Sequence, residues 1–213
     1  MALNLGMNFQ THTTVTSVEG DFSGRWRVTT DNGEVNTSKV IHATNGYTSY
    51  LLPELAGKLV PLKGHVAAIP PSPNFEKEPL DRTMAVIWDD DYDYLIQRQA
   101  KGKHVIIGGM DLVHPNGLIG PLGDSDDSVM NQEIASSLKQ FPVKQFEGWS
   151  QPVDGSVEVG QSCSKTIVWT GIMGISKDCL PFLGELPGKK GQYIAAGYHG
   201  HGTQPFCDDY DQY

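Results

Sequence analysis

Along the first fifty positions apolar and polar residues alternate instead of recurring every third or fourth. Phe9, Thr11, Thr13 and Val15 share one parity, and Arg25-Trp26-Arg27-Val28-Thr29-Thr30 keeps the same two-residue period, the mark of half-buried strands. Asp31-Asn32-Gly33 interrupts it. Asn and Gly tolerate positive φ, so the tripeptide predicts a tight hairpin turn, with the chain returning over Val35 to Ile41. That return runs into His42-Ala43-Thr44-Asn45-Gly46.

A turn or short helix is expected over Tyr47 to Pro53, then a strand from Leu59 to Ile69 that is entered through Pro61 and ended by Pro70-Pro71-Ser72-Pro73. Three further runs predict an antiparallel meander: Met84 to Trp88, Tyr92 to Arg98, and His104 to Gly109, with short polar links between them. Helical spacing is clearest over Ser128 to Phe141. There Met130, Ile134, Leu138 and Phe141 form one stripe, and Asp126 or Asp127 can serve as N-cap. Thr166 to Trp169 and Gln192 to Ala196 read as two more strands, the second leading straight into Gly197-Tyr198-His199-Gly200-His201-Gly202.

The 213 residues are 38% hydrophobic, enough for one large domain or two small ones rather than a disordered chain. A net charge of -9 with 16 scattered basic residues argues against a nucleic-acid partner, which needs clustered Lys and Arg. A small molecule or a protein partner fits better. Cys163, Cys179 and Cys207 are odd in number and lack metal-ligand spacing, so neither a disulfide framework nor a zinc site is expected. No apolar run approaches the roughly 18 to 20 residues of a membrane span, and Met1-Ala2-Leu3-Asn4 has no signal-peptide pattern. The expectation is a soluble, cytoplasmic protein with no membrane association.

Three segments, in this order, resemble the family of FAD-dependent oxidoreductases that includes D-amino acid oxidase, glycine oxidase and sarcosine oxidase. They are Thr14-Val15 through Ala43-Thr44-Asn45-Gly46-Tyr47 to Leu62-Lys63-Gly64-His65; Ile106-Ile107-Gly108-Gly109-Met110-Asp111; and Trp169-Thr170-Gly171-Ile172 through Lys177-Asp178-Cys179-Leu180-Pro181 to Ala196-Gly197-Tyr198-His199-Gly200-His201-Gly202. The resemblance implies an α+β fold: an incomplete, Rossmann-like FAD-binding domain over 1–50 and 166–213, and a mostly antiparallel substrate domain with flanking helices over 51–165. It also implies FAD as cofactor, a small amine or amino-acid-like substrate, and oxidation at a C–N bond. By the same resemblance Val15 would pass the adenine, and Ala43, Thr44, Asn45 and Gly46 would approach the cofactor from a strand end. Gly197, His199, Gly200, His201 and Gly202 would lie beside the flavin, where main-chain N–H groups can stabilise negative charge. Lys63 and His65 would stand near flavin and substrate.

Two departures qualify that expectation. The family opens with a strand, a Gly-x-Gly-x-x-Gly loop and a helix that receives the pyrophosphate, and no such pattern follows a strand near the N-terminus here. After the closing glycine turn, Thr203 to Tyr213 carries Pro205, three aspartates and no apolar stripe, so no long packed helix is expected there.

Several residues keep a plainer reading open. Lys63 is either a charge partner for flavin or substrate or an ordinary strand-end lysine, and His65 either a base or a core histidine. Tyr92, Tyr94 and Arg98 share one strand face, which suits a carboxylate site or a polar solvent face equally. Asp178 is expected to form a turn through its side chain. His199 and His201 alone are too few for zinc. Three functions therefore stand: a flavin-dependent amine or amino-acid oxidoreductase; a non-redox isomerase, cyclase or lyase using His65, His199 or His201; and an inactive fragment that self-associates or completes its fold with a partner chain.

Overall fold

The structure is a computed structural model that describes residues 2–20, 24–87, 92–99, 102–109, 120–149 and 165–201. The chain divides into two compact units, Met1–Val60 with Gly174–Tyr213, and Pro61–Met173. Gly202, Trp88 and the tail from Thr203 lie outside the described residues.

The first unit holds a meander of β1 (Val15–Gly20), β2 (Trp26–Thr30) and β3 (Gly33–Thr37). Thr30 pairs with Gly33 across the Asp31-Asn32 turn, and Gly33 takes φ 138 there, as the tripeptide predicts. Pairing begins only at Val15. His12 turns the backbone to φ 52, so the alternation over Phe9 to Thr13 does not form a strand, and Phe9 stays exposed. Trp26 lays its ring over Gly20, its antiparallel partner; a Cβ on Gly20 would stand 2.1 Å from the ring. The same indole donates from Nε1 to the Lys190 carbonyl at 2.9 Å.

The returning run expected over Val35 to Ile41 is broken in two. Thr37 Oγ1 caps the Lys39 carbonyl at 3.0 Å, and the chain leaves the meander to form β4 (Val40–His42). A second sheet has the order β10 (Phe182–Glu185), β11 (Gln192–Ala196), β4. β11 runs antiparallel to β10 and parallel to β4, with Tyr193 opposite Ile41 and Ile194 opposite His42. His42 Nε2 and Gln192 Oε1 meet at 2.9 Å in the buried layer. Beneath lies an apolar cluster of Leu52, Leu55, Leu59, Leu186, Ile194 and Ala196.

The second unit carries the meander predicted from the middle of the chain. Its strands are β6 (Met84–Ile87), β7 (Tyr92–Gln97) and β8 (Val105–Gly108), joined to β5 (Leu59–Ile69) and β9 (Ile167–Ser176) in the order β6-β7-β8-β5-β9. Period-two alternation is visible in β7, where Asp93, Leu95 and Gln97 are buried while Tyr94 and Ile96 are exposed. Gln97 is the polar anchor of that buried face. Its Oε1 accepts from the Leu80 N–H at 2.8 Å, and its Nε2 reaches the Phe75 and Lys103 carbonyls.

The long helix of this unit runs from Gln132 to Gln145, not over 128–141. Asn131, rather than Asp126 or Asp127, is the cap: its Oδ1 accepts from the Glu133 and Ile134 N–H groups at 2.9 and 3.1 Å, satisfying donors that the first turn leaves open. Asp126 is occupied elsewhere, holding the Ser128 N–H and hydroxyl. Pro142 does not stop the helix either, because its carbonyl still accepts from Phe146 at 2.9 Å and the ring is buried beside Phe141. The apolar stripe of Ile134, Leu138 and Phe141 packs on Ala67, Ile69, Leu95, Val105, Ile107 and Val168.

Candidate functional site

β4 and β11 are parallel, so both deliver their carboxyl ends to the same edge of the first unit. β4 opens there into Ala43-Thr44-Asn45-Gly46, a 3-10 turn over Asn45–Tyr47. β11 opens into Gly197 to His201. The two segments are joined: Asn45 Oδ1 accepts from the Gly197 N–H at 2.9 Å, and Asn45 takes φ 43 to present it. Gly174, from β9, supplies the third wall. A Cβ at Gly174 would lie 2.6 Å from Asn45 Oδ1 and 3.1 Å from the Gly46 nitrogen, so only a glycine lets the backbones meet.

The closing turn is strained and tied. Gly197 and Gly200 stand at φ 83 and 80, and His199 at φ 51, a left-handed conformation unfavourable for a residue with a Cβ. The His199 N–H donates to the Gly174 carbonyl at 3.1 Å and the His201 N–H to the Tyr198 carbonyl at 2.8 Å. With the Gly197 bond, three turn amides expected to face a cofactor are already donated within the protein. They preorganise the turn.

His199 adds a side-chain tie. Its Nε2 accepts from the Ser176 N–H at 2.8 Å and lies 3.0 Å from the Ser176 hydroxyl. That hydroxyl also reaches Asp178 Oδ1 at 3.0 Å and the Leu180 carbonyl at 2.8 Å. Asp178 builds the expected turn by accepting from the Leu180 N–H at 3.2 Å. The Leu180 and Ser176 bonds hold its carboxyl below the usual carboxylate range, with His199 adding a smaller effect. Burial pushes the His199 imidazole down, Asp178 opposes the shift, and His201 reinforces it. The cluster is not a hydrolase triad, because the carboxylate touches the serine and not the imidazole.

The remaining candidates stand on other elements. Val15 opens β1 opposite Thr30, beside a register irregularity. In the second unit Lys63, which is buried, donates from Nζ to the Asp126 carbonyl at 2.9 Å and pairs with Asp124; that contact holds the Asp124 carboxyl below its ordinary range. His65, also buried, accepts at Nε2 from the Asn131 N–H at 3.0 Å. Both side chains tie the segment before the helix to β5. Tyr94 lies across Gly108, where a Cβ would stand 2.2 Å from its ring, and shares the exposed face of β7 with Ile96. Arg98 follows on the same parity and is exposed.

Among the described residues no cluster of His, Cys, Asp and Glu could hold a metal ion, and no helix is long and apolar enough to cross a membrane.

A family model described as DAO, FAD dependent oxidoreductase, matches residues 1–206. The chain belongs to this DAO family. Solved structures repeat its fold at low identity. Glycine oxidase from Geobacillus kaustophilus is 20% identical with a TM-score of 0.60, over 94% of this chain and 46% of that one. L-proline dehydrogenase from P. horikoshii is 19% identical with a TM-score of 0.62, over 94% and 48%. An amadoriase I variant from Aspergillus fumigatus is 15% identical with a TM-score of 0.69, over 94% and 45%. The chain thus spans about half the length of the solved structures it matches. No curated protein matches.

Ser176 is the member of the site that sequence reasoning missed. A lone serine before Lys177-Asp178 carries no motif, and its importance comes from the long-range meeting with His199. The side chain of Asn45 was similarly hidden, although an Asn-Gly pair after a strand does signal an unusual backbone.

Proposed function

We propose that this chain carries the flavin-side and substrate-side parts of an FAD-dependent oxidoreductase that removes hydride from the carbon of a C–N bond in a small amine or amino acid. The observation that carries the reading is the juxtaposition of two parallel strand ends, Ala43 to Gly46 and Gly197 to His201, tied by the Asn45–Gly197 bond. In open α/β sheets ligands sit outside the carboxyl ends of the strands. Small residues and left-handed turns at such ends let backbone approach a flat ring.

The residues present fit the flavin side of a dinucleotide site and not its phosphate side. Gly46, Gly174 and Gly197 supply close backbone packing. No Gly-x-Gly-x-x-Gly stands near the N-terminus to grip the pyrophosphate. In this reading the grip comes from a Gly-rich segment outside these residues, and FAD binds this chain alone weakly. Bound FAD would supply the two-electron acceptor. Asn45, Gly197 and His199 would hold the turn rigid against it. Within the second unit, the face of β7 that carries Tyr94 and Arg98 has a hydroxyl and a fork of the kind that binds a carboxylate.

Titration of FAD into the purified protein, followed by quenching of flavin fluorescence, tests the reading. Weak, saturable quenching that Asn45→Ala weakens further is expected. Flavin emission that stays unchanged across the titration overturns it.

A further inference from the structure

The closing turn is held by an imidazole whose protonation state the contact itself defines. A backbone N–H can only donate, so the 2.8 Å contact from the Ser176 N–H requires an unprotonated Nε2, and the neutral ring carries its proton on Nδ1. The Ser176 hydroxyl has one hydrogen and three acceptors in reach: Asp178 Oδ1, the Leu180 carbonyl and His199 Nε2. Adding a proton to Nε2 would set two N–H groups against each other at the distance of that bond. The hydroxyl offers a way out, since its oxygen can accept from a protonated Nε2 while its hydrogen goes to Asp178.

We propose that His199 is a proton-sensitive positioning residue for the Gly197–His201 turn. The neutral ring holds the Ser176 amide, and the protonated ring lets that amide go and donates instead to the Ser176 hydroxyl oxygen, while that hydroxyl keeps its hydrogen and donates a hydrogen bond to Asp178. Among the described residues, the titratable groups acting on the ring are Asp178, from the loop after β9, and His201, from the turn itself. Burial favours the neutral ring, so the amide-holding arrangement is the one present at neutral pH. Release exchanges the amide tie to β9 for one through the Ser176 hydroxyl, while the His199 N–H stays on the Gly174 carbonyl. The consequence for the cofactor rests on the function proposed above: where the turn lies beside a flavin, the exchange of ties shifts the turn and FAD affinity changes as His199 takes up its proton.

Amide exchange at Ser176, followed by NMR on the full chain from about pH 8 to about pH 5 alongside the imidazole resonances, tests the proposal. In the wild type, protection of the Ser176 amide is expected to fall below the His199 midpoint, by about tenfold per pH unit for the one proton linked to it. His199→Gln retains an acceptor that cannot be protonated, so its Ser176 protection should stay flat with pH. Ser176→Ala keeps the backbone donor but removes the hydroxyl that receives the protonated ring, and the His199 midpoint should move down. Wild-type protection that ignores the His199 titration, or that changes identically in His199→Gln, overturns the proposal. Should His199→Gln fail to fold, the direction of the midpoint shift in Ser176→Ala decides it. A parallel flavin titration separates this proposal from the functional reading. Failure to bind FAD with the expected Ser176 behaviour leaves the positioning role standing, whereas FAD binding with pH-independent Ser176 protection removes it.

Discussion

The two units are closed by different forces. In the second, Ile134, Leu138 and Phe141 from one helix are buried with Ala67, Leu95, Val105 and Ile107 from the sheet, a core held by apolar area and dense packing. In the first, the apolar cluster is smaller, and the segment of interest is held by directional polar bonds: Asn45 to Gly197, Gly174 to His199, Ser176 to His199. Apolar packing gives stability without regard to orientation. Hydrogen bonds at strand ends give orientation for little net stability. A binding edge needs the second kind, because it must stay open and still keep its shape.

That contrast can be broken most severely in the second unit. Phe141→Ala should cost about 3–5 kcal/mol, as truncation of a fully buried aromatic does, read from the urea denaturation midpoint; a cost below about 1 kcal/mol would mean that the helix does not close this core. In the first unit the damaging change is an addition. Gly174→Ala forces a Cβ against Asn45 and the Gly46 backbone, with an expected overpacking cost of about 1–3 kcal/mol. Hydrogen exchange at the Gly197 amide should rise with it, and an unchanged Gly197 amide would detach Gly174 from the turn.

The smallest expected effect is on pH dependence. His104, in the second unit, is pushed below the ordinary value of 6.5 by burial first and by Arg98 second, against a bond to the Lys165 backbone. The folded chain therefore prefers the neutral ring, and below pH 6.5 the unfolded chain binds more protons. The stability from this group is complete above that pH and is lost as pH falls towards the folded value. Thermal midpoints of wild type and His104→Gln should converge on acidification, and parallel curves would remove His104 from the account.

Much of the architecture was legible in local pattern. Alternation marked β2, apolar runs with their bounding links marked β5, β7 and β11, and Asp31-Asn32-Gly33 marked its hairpin, because strand pattern and turn chemistry depend on neighbours in sequence. The helix was seen but misplaced by four residues at its start. Asn131 and Asp126 are both competent caps in sequence, and only the neighbouring contacts decide which is used: Asp126 turns back onto Ser128, while Asn131 stands where His65 takes its own N–H. The split of Val35 to Ile41 into β3 and β4 was equally invisible, since the parallel partner of β4 lies some 150 residues away and no local period encodes it.

For the site, the glycine turn after Ala196 and the Asn-Gly pair at 45 and 46 could be read directly, because residues that tolerate left-handed backbone announce themselves. Sequence by itself determined the family, the strand pattern and the lack of a phosphate-gripping loop near the N-terminus. Tertiary structure alone decided that three turn amides are turned inward, that Lys63 is paired with Asp124, and that an unremarkable serine meets His199. Each of those outcomes depends on groups distant in the chain reaching hydrogen-bond distance, a relation that backbone propensity and spacing do not carry.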